Sequence, residues 1–263
     1  MTIHLEVPIF GPAFASAAVS AGASRIELNA QGSYPTGGLT PDIEDLSSIE
    51  ELGVPIRIMI RPRGPPASGA RDFIYTDGEV DAMEESILGF KASGLMKAER
   101  GDGFVFGALG EAGQGRKTDD PSGPEHNGGA ILDVDQCRRL VNATKPFKAV
   151  FHRAFDELVC HDAWESALAE LVRLGFDGIL TSGGPGDAAG NIPQLARILE
   201  KRNNRIEIIL GGGVRSGNVA ELRTRLDLSP TTSGCWAHSS CLTGRDTKAF
   251  DAKEASDILA GLR

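Results

Sequence analysis

The segment Phe147–Asp156, FKAVFHRAFD, shows the unit from which this chain is built. The apolar run Ala149-Val150-Phe151 has the composition of a buried strand, and it ends in the ionisable side chains of His152, Arg153 and Asp156. Packing in the core does not explain these charges, because burying each one unpaired costs several kcal/mol. The segment therefore predicts a strand that delivers functional groups to a pocket. The alternative is a structural Arg153–Asp156 salt bridge that caps the strand.

The same alternation of strand and helix runs through the whole chain. Strand patterns occur at 3–9, 25–29, 55–60, 103–109, 147–152, 177–181, 206–210 and within 232–238, and helical patterns lie between them. This number of alternations in 263 residues, with no linker of domain-boundary character, favours an α/β protein that forms a single (β/α)8 TIM-type barrel over 1–263. Residues 110–129 have no apolar period, which predicts a flexible surface loop at about 110–130.

Charge and cysteine content exclude several classes of function. The chain has 27 Lys and Arg against 36 Asp and Glu, a formal net charge of -9, which argues against a nucleic-acid or anionic-membrane partner. No apolar run reaches the roughly 18 residues that a membrane span needs, and the first ten residues lack a signal-peptide pattern. The four cysteines form no CxxC motif, which favours a reducing compartment and a cytoplasmic location.

Polar residues follow nearly every predicted strand, whereas the strand starts look structural. Active sites of such barrels lie at the C-terminal ends of the strands, so these residues predict a pocket. Glu27, His152 and Asp156 are candidates for acid and base chemistry, or for hard metal ligands. The candidates for ligand binding are Arg61, Arg63, Asp72, Arg153, Thr181, Ser182, Gly183, Gly212, Gly213, His238 and Ser239.

Arginines and glycine-rich turns at the C-terminal end of the predicted barrel favour an anionic ligand. The sequences Thr181–Gly184 and Gly211–Val214 follow the sixth and seventh predicted strands, close to where barrels often hold phosphate on backbone N–H groups. The same glycines also suit plain tight turns between a strand and a helix. Phosphate or another oxyanion is therefore one expected ligand.

The segment Cys235–Cys241 carries soft metal ligands at a spacing of three residues. Two thiolates and one imidazole, from Cys235, His238 and Cys241, suit Cu(I) or zinc. A structural zinc site needs a fourth ligand, which is not evident in the sequence. Cys235 also fits the role of a small buried apolar residue.

Taken together, these motifs resemble the CutC family of copper homeostasis proteins. The resemblance covers nearly the whole chain in order and includes Leu5-Glu6-Val7, Ile60-Arg61-Pro62-Arg63-Gly64, Phe151–Asp156, Leu180–Gly183 and His238-Ser239-Ser240. It implies a cytoplasmic TIM-type barrel that binds or handles copper. The polar set that the family shares is represented here by Glu27, Arg61, Arg63, Asp72, His152, Arg153, Asp156 and His238.

The chain departs from this family at two positions. Family members that are proposed to bind copper resemble this chain except for cysteines where it has Pro8 and Asn29. Proline cannot ligate a metal, and an amide oxygen is a poor ligand for soft Cu(I). The expected function is thus copper homeostasis, with copper as the ligand. The alternative is an enzyme that acts on a small anionic or phosphorylated metabolite, and a homo-oligomer is a further expectation.

Overall fold

The computed structural model describes residues 3–112, 129–202, 204–228, 234–243 and 249–263. The strands are β1 (His4–Phe10), β2 (Arg25–Asn29), β3 (Ile56–Met59), β4 (Gly103–Phe106), β5 (Leu109–Glu111), β6 (Ala130–Leu132), β7 (Lys148–Phe151), β8 (Gly178–Thr181), β9 (Glu207–Leu210) and β10 (Cys235–His238). Eight of them form a closed parallel barrel in the order β1-β10-β9-β8-β7-β4-β3-β2. The predicted (β/α)8 barrel is confirmed.

Helices surround the barrel. They are α1 (Ala15–Ser20), α2 (Ile43–Ser47), α3 (Asp77–Ala92), α4 (Val134–Thr144), α5 (Ala154–Cys160), α6 (Trp164–Leu174), α7 (Ile192–Lys201), α8 (Val219–Arg225) and α9 (Ala252–Gly261). Short 3-10 turns at Pro12–Phe14 and Tyr34–Thr36 follow the first two strands. The long helix α3 begins with a capping box, in which Thr76 and Glu79 satisfy each other's backbone N–H groups. No described helix has the length and hydropathy needed to span a membrane.

Three local features differ from the predictions. The predicted strand 103–109 ends at Phe106, and Leu109 instead belongs to an antiparallel hairpin of β5 and β6. This hairpin occupies both ends of the predicted surface loop, while 113–128 lie outside the described residues. Helix α5 was not predicted, because the polar residues of the site interrupt its apolar spacing directly after β7.

The barrel interior has an apolar half and a polar half. Met59, Val105, Val150, Leu180 and Ile209 form a cluster inside the barrel, one from each of β3, β4, β7, β8 and β9. The other strands, β1, β2 and β10, contribute Glu6, Glu27 and His238 instead. The residues next to them along the strands point outward, because successive side chains of a strand face opposite sides. They belong to the larger apolar cluster between the barrel and the helices: Leu5, Val7, Ile26, Leu28 and Ala237. The buried carboxylates of Glu6 and Glu27 therefore lie on one side of the barrel, together with His238.

We expect Gly103→Ala to destabilise the protein by about 1–3 kcal/mol, because there is no room for a methyl group where β4 meets β7. A Cβ at Gly103 would lie 2.4 Å from the carbonyl oxygen of Lys148. The control is Gly78→Ala in α3, where a Cβ meets no atom within 4 Å. This change is expected to alter stability by less than about 1 kcal/mol, because Gly78 lies in the first turn of α3. Urea denaturation of both variants tests the prediction, and equal midpoints would contradict it.

Candidate functional site

A cavity of about 650 Å³ lies at the C-terminal ends of the barrel strands. Most of the site residues that were predicted from the sequence line this cavity, and they come from separate strand ends and loops. They are Glu27, Arg61, Asp72, His152, Arg153, Asp156, Gly212, Gly213, His238 and Ser239. The fold therefore brings together side chains from β2, β3, β7, β9 and β10, as expected for the working face of such a barrel.

Arg63, Thr181, Ser182 and Gly183 are not among the lining residues. The Arg63 guanidinium donates to the Glu79 carboxylate and to the carbonyl oxygen of Ile74 at 2.7 Å, so it fixes the segment that leads into α3. Thr181 and Ser182 donate their hydroxyl groups to Asp156. These residues support the wall of the cavity rather than face its contents.

Asp156 acts as the anchor of the loop after β8. One carboxylate oxygen accepts from the Thr181 hydroxyl and the Ser182 amide, and the other accepts from the Ser182 hydroxyl at 2.8 Å. The second oxygen also accepts from Arg153 Nε at 2.8 Å. The structural Arg153–Asp156 salt bridge is thus present. With both oxygens already bonded, Asp156 has a positioning role in this arrangement.

Three potential metal ligands meet inside the barrel: Glu6, Glu27 and His238. One ligand atom from each lies within 4.8 Å of the others. We call these three residues the carboxylate-imidazole group. Glu6 Oε1 and His238 Nδ1 are 2.8 Å apart, and the second oxygen of Glu6 pairs with Arg25. The sequence predicts Glu27 and His238 as site residues but does not join Glu6 to them, because β1 and β10 become neighbours only when the barrel closes.

Electrostatics keep Glu6 ionised and set the tautomer of His238. Burial opposes the charge of Glu6, but the Arg25 guanidinium and the His238 hydrogen bond outweigh burial and lower its pKa to about 2. Burial also opposes the charge of His238, yet the Glu27 and Glu6 carboxylates raise its pKa. Because Glu6 is ionised and can only accept, His238 Nδ1 carries a proton. In the neutral imidazole, Nε2 is then the free acceptor.

Glu27 has an incomplete set of hydrogen bonds. Its Oε1 accepts from Asn29 Nδ2 at 3.1 Å, while Oε2 is buried and has no hydrogen-bond partner among the described residues. Burial raises the pKa of Glu27, and the His238 imidazole acts in the opposite direction. A buried carboxylate oxygen without a donor costs about 1–3 kcal/mol or more, so this atom marks a place for a ligand.

His152 is also buried with one ring nitrogen unsatisfied. Its Nδ1 accepts from the Ala154 amide at 3.3 Å, and its Nε2 has no partner in the described part of the chain. Burial and the nearby charge of Arg61 lower the pKa of His152 to about 3. The imidazole is therefore neutral at physiological pH, and since Nδ1 accepts, the proton lies on Nε2.

The structure places the residues of the predicted soft-metal site, Cys235, His238 and Cys241, in different surroundings. Cys235 and His238 are three residues apart on β10, so they face opposite sides of the strand. Cys235 packs in the cluster outside the barrel, where burial raises its pKa to about 12. Burial likewise raises the pKa of Cys241, to about 11, and its thiol contacts the carbonyl oxygen of Ser239. The metal site at Cys235, His238 and Cys241 stays a prediction, and the one group of potential ligands found among the described residues joins His238 to Glu6 and Glu27 instead.

Comparison with known proteins identifies the family. The model of the CutC family matches residues 3–115 and 123–231. This chain belongs to the CutC family. A family protein CutC from Parabacteroides distasonis is 36% identical over 207 residues, which cover 78% of this chain and 71% of that protein. A relative from Homo sapiens, named copper homeostasis protein cutC homolog, is 34% identical over 202 residues, covering 76% of this chain and 62% of the human protein.

Solved structures support the same assignment. The crystal structure of CutC from Streptococcus agalactiae superposes with a TM-score of 0.69 at 28% identity, and the match covers 90% of this chain and 98% of that one. The aldolase QR15 is similar in fold alone, with a TM-score of 0.51 and 11% identity over 89% of each chain. The CutC family assignment, predicted from the strand-end motifs, is confirmed. Within this family, the present chain combines Pro8 and Asn29 with the carboxylate-imidazole group.

Proposed function

We propose that this protein takes part in copper homeostasis by binding a copper ion at the carboxylate-imidazole group. Its family and the names of its relatives, including the copper homeostasis protein cutC homolog of Drosophila melanogaster, support a role in copper handling. The observation that carries the proposed site is the unpartnered Oε2 of Glu27, buried beside His238 inside the barrel.

The donors are close enough together for two of them to reach one metal ion after a small adjustment of their side chains. Metal–oxygen and metal–nitrogen bonds of about 2.0–2.2 Å place two ligands of one ion up to about 4 Å apart. The ligand atoms of Glu6, Glu27 and His238 lie within 4.8 Å of one another. Glu27 and the free nitrogen of His238 would bind the ion directly. Glu6 would hold the imidazole in the required tautomer through Nδ1, as carboxylates commonly do behind metal-bound histidines.

The chemistry of these donors favours Cu(II) over Cu(I). Carboxylate and imidazole ligands bind Cu(II) more strongly than the other divalent first-row metals, whereas Cu(I) prefers thiolates and thioethers. Pro8 and Asn29 provide no thiolate, and among the described residues no cysteine belongs to a cluster of three potential ligands. These donors therefore suit Cu(II) better than Cu(I), and Cu(II) is the ion with which we propose to test the site.

Titration of metal-free protein with Cu(II), in the presence of a competing chelator, tests the proposal. Wild type is expected to bind one ion per chain, and Glu27→Gln and His238→Gln are each expected to bind at least about tenfold more weakly. His161→Gln is the matched control, because it removes an exposed imidazole. Electron paramagnetic resonance of bound Cu(II) should show coupling to a histidine nitrogen in wild type that His238→Gln lacks.

Two results would contradict this site. Wild-type affinity in both variants would place copper elsewhere, on the surface of the protein. Tight Cu(I) binding that is lost in Cys160→Ser would instead assign copper to the exposed thiol at the cavity rim. Thermal denaturation of each variant, compared with wild type, separates a lost ligand from a lost fold.

We also propose a cytoplasmic location, which is supported by four cysteines that are all free thiols. Self-association stays a prediction. Light scattering of the purified protein measures the oligomeric state.

A further inference from the structure

His152 lies on the opposite side of the cavity from the proposed copper ligands and has its own unmet hydrogen bond. Its side chain comes from the end of β7, lines the cavity and is only 3% exposed. Since Nδ1 accepts from the Ala154 amide, Nε2–H is a buried donor without an acceptor in the described structure. A histidine that served packing alone would be expected to satisfy both nitrogens.

The imidazole is held beside a fixed positive charge. Arg61, at the end of β3, donates to the carbonyl oxygens of Thr36 and Gly38 and to Asp72 Oδ2 at 2.7 Å. Gly107 lies at the end of β4, the strand between β3 and β7, and a Cβ there would approach His152 Nδ1 to 2.8 Å. The absence of a side chain at Gly107 therefore leaves space for the ring next to Arg61.

Phe73 joins these two side chains. Its ring centroid lies 4.6 Å from that of His152, and the Arg61 guanidinium carbon lies 5.0 Å from the Phe73 ring centroid. Phe73 has a φ of 64°, in the left-handed region that bulky residues avoid. Such a conformation costs about 1–3 kcal/mol and is concentrated at ligand sites. The strained residue is the one whose ring lies beside both His152 and Arg61.

We propose that His152 Nε2–H and the Arg61 guanidinium, walled by Phe73, bind the carboxylate of a small organic acid. The acceptor for a neutral N–H beside a guanidinium is an anionic oxygen. A single negative charge suits this place better than a phosphate dianion, because Asp72 already pairs with Arg61 and His152 carries no charge. Phe73, together with the Phe10 and Tyr34 rings that also line the cavity, fits the apolar body of such an acid.

The proton position can be tested without any variant. Nitrogen-15 NMR of histidine-labelled, metal-free protein is expected to show His152 as a neutral imidazole with the proton on Nε2. Addition of sodium pyruvate or sodium acetate should shift this N–H signal, whereas inorganic phosphate at equal ionic strength should not. Because no metal is present, the result does not depend on the copper site.

Substitution then measures the contribution of the N–H group. His152→Phe is expected to weaken pyruvate binding by at least about tenfold, since a hydrogen bond to a charged group is lost. His152→Gln keeps an N–H donor and should recover part of that loss, and His161→Gln should match wild type. The proton on Nδ1, binding of phosphate alone, or equal affinity in His152→Phe and wild type would each overturn the proposal. If His152→Phe does not fold, the tautomer and the wild-type titration decide it.

Discussion

Arg25→Met is expected to lower the free energy of unfolding by about 3–5 kcal/mol, because it leaves the buried carboxylate of Glu6 without its cation. Arg25 is only 1% exposed. Its Nε pairs with Glu6, its NH1 lies 3.0 Å from Glu207 Oε2, and its guanidinium lies 3.7 Å from the centroid of the Trp236 ring. Methionine replaces the volume of the side chain but none of these charge interactions.

The chain offers a matched control in Arg197→Met. Arg197 also stacks on a tryptophan, Trp164 at 5.1 Å, and pairs with a glutamate, Glu165 at 3.3 Å. Its side chain is 56% exposed, so the pair is screened by solvent and its loss should cost less than about 1 kcal/mol. Urea denaturation at neutral pH compares the variants. Equal losses would show that Arg25 contributes no more than a surface arginine.

A double variant separates the lost cation from the lost packing. Glu6→Gln combined with Arg25→Met removes both charges, so it is expected to recover part of the stability lost in Arg25→Met. Failure to recover any would assign the loss to packing against Trp236. The comparison matters for the site, because one oxygen of Glu6 binds Arg25 while the other orients His238.

The barrel could be predicted because its signals are local. In β3, Ile56 and Ile58 alternate with Arg57 and Met59, and this period of two is visible in the sequence without any partner strand. The β5–β6 hairpin carries no such signal, since each strand has only three residues and its partner follows an unpatterned stretch. Helix α5 was missed because site residues and helix residues overlap directly after β7.

The site could be predicted only as a set of strand ends. Polar residues after apolar runs nominated Glu27, His152 and His238, and the barrel geometry explains why they share a cavity. The contact of Glu6 with His238 joins residues at the two ends of the chain and depends on barrel closure. The left-handed backbone of Phe73 has no sequence signal, since phenylalanine is not typical of that conformation.

Acidification is expected to destabilise wild type more than His152→Gln. The His152 imidazole, ordinarily with a pKa of 6.5, stays neutral in the fold down to about pH 3, because burial and the Arg61 charge oppose its protonation. The unfolded chain binds this proton below pH 6.5, so the contribution of His152 to stability is complete above that pH and falls by about 1.4 kcal/mol per unit below it. The extra loss in wild type is therefore roughly 2 kcal/mol at about pH 5 and roughly 5 kcal/mol at about pH 3.

The difference between the two proteins isolates His152 from the other buried groups. The lowered pKa of Glu6 adds a loss of stability in acid below its ordinary value of 4.5, whereas the raised pKa values of Glu27 and His238 act in the opposite direction. These effects are common to wild type and His152→Gln, because His152 is not a member of the carboxylate-imidazole group. Urea denaturation from pH 7.5 to about pH 5 measures both curves, with His161→Gln as the control for losing an exposed imidazole. If the free energy of unfolding of wild type and of His152→Gln falls equally with pH, the prediction is contradicted. His152 would then bind a proton as readily in the folded protein as in the unfolded chain, although its ring is buried beside Arg61.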